Sequence, residues 1–166
     1  MKNFAIIAIL LISTLCHAQS KIDTTGSKIS PADAQSILDH HNKIRKEVGS
    51  PPLTWSTQLA AYAQQWADHL ASTNTFSHRP DNKNGENIFM GSSGYTALNA
   101  SENWYSEIKA YKYEKFTGKG GTGHYTQMVW KNTTQIGVGV AIAANGDIYV
   151  VANYSPPGNY IGELPY

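Results

Sequence analysis

Residues 135–154 read QIGVGVAIAANGDIYVVANY, and this stretch decides how the chain folds. Over residues 135–143 bulky and small side chains alternate. Ile136, Val138, Val140 and Ile142 share one face of a strand, while Gly137, Gly139, Ala141 and Ala143 share the other. The small face lets a helix approach closely. Asn145-Gly146 is a strong hairpin-turn signal, and residues 147–154 form the returning strand. A hairpin that closes a chain of helices predicts an α+β sandwich with an antiparallel sheet.

Working back towards the N-terminus, the helices are marked by their caps. Ser30-Pro31 opens the first, with Ser30 as N-cap and Pro31 at the first helical position. Ile37, His41, Ile44 and Val48 line one face of it, and Gly49 ends it. Pro51-Pro52 forces an extended connection. Ser56 caps a second helix, with Leu59, Ala63, Trp66 and Leu70 as its apolar stripe. Residues 86–90 (ENIFM) suit a short strand. A third helix is predicted over residues 96–112, with Trp104, Ile108 and Tyr111 on one face. Residues 115–123 (KFTGKGGTG) form a glycine-rich loop that lacks the context of a phosphate-binding loop.

The 166 residues argue for one domain after a leader. Residues 1–18 carry Lys2, an apolar run from Phe4 to Leu15, and a small residue, Ala18. This is the layout of a secretory signal peptide, too short for a comfortable membrane span, with cleavage expected after Ala18. Residues 19–30 read as a flexible leader and residues 31–166 as the domain. The one cysteine, Cys16, lies inside the signal, so the mature chain relies on a packed core rather than on disulfides. Without Lys2 the 13 basic residues fall to 12, equal to the 12 acidic ones. The stretch KIRK (residues 43–46) reads as a helix-surface patch, so nucleic acid is not an expected partner. No later stretch is apolar and long enough to span a membrane, and a secreted, extracellular or periplasmic monomer is expected.

A metal or acid–base site needs several ionisable groups in one cleft. The mature chain offers His40, His41, His69, His78 and His124. His41 sits on the apolar stripe and reads as a hydrogen-bonded core histidine; His40 and His69 read as surface residues. His78 lies in a loop, with Glu86 eight residues on, and such a pair can meet across a loop. Glu107 shares a predicted helical face with Trp104 and Tyr111. A carboxylate there wants a partner, although a surface glutamate at the edge of the stripe is the commoner outcome. His124 stands between the glycine-rich turn and an aromatic, apolar run.

Residues 123–133, GHYTQMVWKNT, resemble a signature of the CAP superfamily, which comprises cysteine-rich secretory proteins, antigen 5 and plant pathogenesis-related class-one proteins. Residues 149–160, YVVANYSPPGNY, resemble a second signature. LDHHNKIRKEVGSPPLTW (residues 38–55) is similar to the start of the family's domain. GENI and the run Trp104-Tyr105-Ser106-Glu107 fill the middle. The resemblance implies a three-layer α-β-α sandwich and a central cleft with a tetrad of two histidines and two glutamates. Matched by motif, these are His78, Glu86, Glu107 and His124. Neutral imidazoles suit Zn²⁺, and carboxylates ligate the ion or orient the rings. Ala152 stands where many relatives have a cysteine, so the chain resembles cysteine-free bacterial members.

Three functions compete on this reading. One is a secreted binding module for a sterol, lipid or other small hydrophobic ligand, for which the aromatic residues 95–113 are suited. The second is a metal-dependent hydrolase or protease using the tetrad, and the third is an extracellular effector. No nucleophile is evident beside the tetrad, and there is no HExxH helix, so a non-enzymatic role is expected. The last residues, PPGNYIGELPY, resemble a peptide released from some plant members; they read here as a tail that packs on the domain and ends it.

Overall fold

The computed structural model describes residues 22–166. The expected signal peptide, residues 1–18, and with it Cys16 lie outside them. The elements run α1 (Pro31–Glu47), β1 (Thr54–Trp55), α2 (Thr57–Thr73), β2 (Gly85–Gly91), α3 (Ala97–Ser106), α4 (Gly123–Val129), β3 (Gln135–Ile142) and β4 (Ile148–Ser155). A 3₁₀ turn, Glu107–Lys109, follows α3.

The expected caps are in place. Ser30 Oγ accepts from Asp33 N at 3.1 Å, and Ser56 Oγ accepts from Leu59 N at 3.3 Å. The third helix is shorter than its periodicity predicts. It begins in a capping box between Thr96 and Asn99 but stops at Ser106. Beyond that point the carboxylate of Glu107 is drawn into bonds with α4, and tertiary pairing overrides helix propensity.

The strand order is β1-β3-β4-β2. β3, β4 and β2 are antiparallel neighbours as expected, but the two-residue β1 joins β3 in parallel, so the sheet is mixed. The extended segment after Pro51-Pro52 supplies that strand. α2 covers one face. A methyl group on Gly137 would fall on the backbone of Leu59 and Ala60, and one on Gly139 on that of Ala63 and Gln64, so only glycine allows this approach. Ala63, Ala67 and Leu70 meet Ala141, Tyr149 and Val151 there. The other face packs Ile136, Val138, Val150 and Tyr154 under Ile37, Ile44, Trp104 and Met128 from α1, α3 and α4. The result is an α-β-α sandwich.

Two sequence readings change. Arg45, placed in a surface patch, is fully buried. Its guanidinium donates to the carbonyls of Pro51, Met128, Trp130 and Thr133 at 2.7–3.0 Å. Burial lowers its pKa to about 10, so it remains charged at neutral pH and ties α1 to the far end of α4. His40 is half-buried rather than on the surface, with Nδ1 2.8 Å from Ser101 Oγ. Residues 22–30 have no regular secondary structure, yet they are tied to the sheet edge. Ser27 Oγ donates to the Val138 carbonyl, and Gln64 bridges Lys28 N to Val140, supplying partners that β3 lacks on that side. The tail after β4 lies against α4 and the preceding loop, through Lys131 N to Pro165 O and Phe116 N to Glu163 O.

Candidate functional site

Glu86 and Asn87 open β2 and point to opposite faces of the sheet, because successive strand residues alternate. Glu86 lies opposite Asn153 and Asn87 opposite Ala152. The end of the sheet is therefore where groups from both faces can converge.

The Glu86 side chain is 5% exposed and is surrounded by donors. Oε1 accepts from Arg79 N at 3.0 Å and lies 2.8 Å from His78 Nδ1. Oε2 accepts from Asn82 Nδ2 at 3.1 Å. A buried carboxylate needs these bonds. The loop that supplies them is anchored to α2: Arg79 Nη1 donates to the Tyr62 carbonyl, and its guanidinium sits 3.8 Å above the Tyr62 ring.

Glu107 reaches the opposite wall. Oε2 accepts from His124 N at 2.9 Å and from Tyr125 N at 3.0 Å. These are free backbone donors of the first turn of α4, whose N-cap residue Thr122 provides no side-chain cap. Glu107 thus caps a helix from which it is remote in sequence, and its charge complements the helix dipole. Its Oε1 lies 2.6 Å from His124 Nδ1.

Both imidazoles therefore turn Nδ1–H towards a carboxylate, which leaves each Nε2 as the basic nitrogen. His78 is largely exposed, and the His124 side chain is one-third exposed beside the Trp104 indole. The two pairs line one cleft of about 230 Å³ together with Asn87, Asn159 and Gly123. Asn159 Nδ2 donates to the Gly123 carbonyl and its Oδ1 accepts from Thr126 Oγ1, which holds the start of α4 in place.

All four sequence-predicted residues thus meet at one cleft, but as two His–Glu pairs. Among the described residues no group of three or more His, Cys, Asp or Glu side chains is arranged to hold a metal ion. Neither Ser77 nor Tyr125 lines the cleft. Sequence reasoning did not single out Arg79, Asn82, Asn87 or Asn159. Asn87 and Asn159 do fall inside the two family-like stretches GENI and PPGNY, which is the one signal that points to them.

A family model described as "CAP: Cysteine-rich secretory protein family" matches residues 38–154. The chain belongs to the CAP family. It is 40% identical over 173 residues to pathogenesis-related protein 1C of Nicotiana tabacum, covering all of this chain and 95% of that protein. Among solved structures it superposes on BmVAL-1 with a TM-score of 0.78 at 28% identity, covering 87% of this chain and 86% of the other. It superposes on NaASP2 with Zn²⁺ with a TM-score of 0.69 at 30% identity, covering 81% and 85%. As a CAP protein it is cysteine-poor: with a single cysteine the chain has no internal disulfide. Its CAP cleft lies where the loop before β2 faces the N-terminus of α4.

Proposed function

We propose that this CAP protein is exported and acts as a binding or effector module whose cleft takes a divalent cation, Zn²⁺ in the first instance. His78 and His124 offer Nε2 to the ion, and Glu86 and Glu107 hold the opposite ring nitrogens. The supporting observation is the paired geometry, Nδ1 to carboxylate at 2.8 and 2.6 Å, because a carboxylate behind an imidazole fixes its tautomer and raises its basicity as a ligand. The donor set fits a borderline ion: two neutral imidazole nitrogens, with positions left for water. NaASP2, a relative in fold and sequence, was solved with Zn²⁺. Both glutamates are occupied by backbone and side-chain donors, so they act behind the rings rather than at the ion. Export rests on the N-terminal signal pattern.

The test is calorimetric titration of residues 19–166 with Zn²⁺ beside the His78→Ala/His124→Ala double variant. Saturable binding that the double variant loses is expected. Equal binding by both proteins sinks the site.

A hydrophobic ligand has a separate candidate location. A largely apolar hollow of about 660 Å³ lies between α2 and the hairpin end, lined by Ala71, Val140, Ala141, Ala143 and Ile148 with Ser72 and the Lys28–Asp68 ion pair beside them. It is at the opposite end of the β2–β4 ladder from Glu86, since Gly91 pairs with Ile148 and Gly85 with Tyr154. Lipid binding, on this reading, is independent of the His/Glu cleft.

A further inference from the structure

The hydrogen-bond polarity behind the cleft is fully determined. The His124 carbonyl only accepts, so the Asn87 amide atom 3.1 Å away is the donor Nδ2. The same Nδ2 lies 3.2 Å from Tyr154 Oη and donates to it. Tyr154 then gives its own proton to His41 Nε2, 2.9 Å away. His41 Nδ1 faces the Ile37 carbonyl at 2.8 Å, another pure acceptor, and so carries the proton of the ring. Burial pushes the Tyr154 phenol up, which keeps it a donor. From β2 through β4 to α1 each donor finds an acceptor. A flipped amide would set Oδ1 against the His124 carbonyl oxygen, so Asn87 has one orientation.

That orientation spends both amide hydrogens on the protein interior. Asn87 Oδ1 has no hydrogen-bond partner among the described residues. Yet Asn87 is 1% exposed and lines the cleft with His78 and His124. Among the described side chains only Tyr111 Oη, Trp130 Nε1 and Asn153 Oδ1 are both sealed and unpartnered, so Asn87 Oδ1 is not sealed and reaches the cleft as a free acceptor.

We propose that Asn87 Oδ1 is a third acceptor of the cleft, recognising the cation or its bound water, and that Tyr154 is the positioning residue that holds it there. This rests on the cation reading above. It adds a neutral oxygen to two imidazole nitrogens, a set suited to Zn²⁺ and Co²⁺. Asn87 also grips the backbone carbonyl of His124, so one side chain couples the acceptor to one of the two rings.

Co²⁺ is the probe, because its visible absorption reports its ligands. The domain, Asn87→Ala, Tyr154→Phe and the double variant are titrated, with Tm recorded for each. Asn87→Ala is expected to weaken Co²⁺ binding about tenfold and to alter the absorption band. Tyr154→Phe, at a residue that does not itself line the cleft and meets it only through Asn87 Nδ2, weakens it by a smaller factor. In the double variant Tyr154→Phe has no further effect on affinity, because it acts through Asn87; a purely structural role would add its loss in both backgrounds. Should Asn87→Ala not fold, Tyr154→Phe alone decides: unchanged affinity and band overturn the proposal. Wild-type affinity in Asn87→Ala, or losses that multiply in the double variant, also overturn it. If the unmutated protein gives no saturable Co²⁺ band, the cation reading itself falls; if it binds and the variants match it, only the role of Asn87 does.

Discussion

His41 and His124 both neighbour one indole, edge-on and stacked with ring centroids 6.5 and 6.3 Å from that of Trp104, and differ in every respect that decides chemistry. His41 has no exposed surface and both ring nitrogens are engaged, one by Ile37 O and the other by Tyr154 Oη. Burial lowers its pKa to about 3, so it is neutral, and its one ring lone pair, on Nε2, is already taken by the Tyr154 hydroxyl. His124 is one-third exposed and spends only Nδ1, on a carboxylate. A histidine whose valences are all met inside the core organises the fold. One whose valences are half met, at an opening, can bind.

Substitution separates the two most sharply. His41→Ala leaves a cavity and strips partners from the buried Tyr154 hydroxyl and the Ile37 carbonyl, for an expected loss of about 3–5 kcal/mol in urea unfolding. His78→Ala takes one donor from the buried Glu86, whose Oε1 keeps Arg79 N, and is expected to cost only about 1 kcal/mol while removing cation binding. Similar losses for the two would erase the distinction.

Acid gives the next largest effect. The folded pKa of His41, about 3, lies below the unfolded value near 6.5. Between these values the unfolded chain binds a proton that the folded one refuses. Stability is therefore unaffected by this group above about pH 6.5 and falls by about 1.4 kcal/mol per pH unit below it, until roughly pH 3. Unfolding free energies measured from pH 7 to pH 4 should show this slope, and a His41→Gln protein should lack its share. A pH-independent difference between the two proteins would mean that His41 is not held neutral.

The smallest effect sharpens the picture of Glu107. Glu107→Gln keeps the shape but loses the charge that faces α4 and one acceptor oxygen. About 1–2 kcal/mol of stability should go, with Zn²⁺ affinity lowered about tenfold. Loss of affinity with no change in stability would show that Glu107 serves the ring and not the helix.

Much of this was readable in the order of residues. The alternation over residues 135–143 announced both the strand and the close approach of α2, because a period of two and a glycine–alanine face have few other uses. Ser30 and Ser56 announced helix starts, since a hydroxyl there meets backbone donors only a few residues on. His41 was readable as a core residue from its place on an apolar stripe. The burial of Arg45 was not, because its four carbonyl acceptors come from Pro51, Met128, Trp130 and Thr133, and a helical wheel contains none of them.

The four residues of the cleft stand between these cases. Their types and motifs were legible through the family resemblance, but their division of labour was not. Sequence alone determined the elements and their two-faced packing, because caps, turns and hydrophobic period act over a few residues. Only the tertiary structure decided that Glu107 caps a helix that begins 16 residues later, and that each carboxylate takes Nδ1 and leaves Nε2 free. Hydrogen bonds are directional and short, and which atom meets which is settled when distant segments dock.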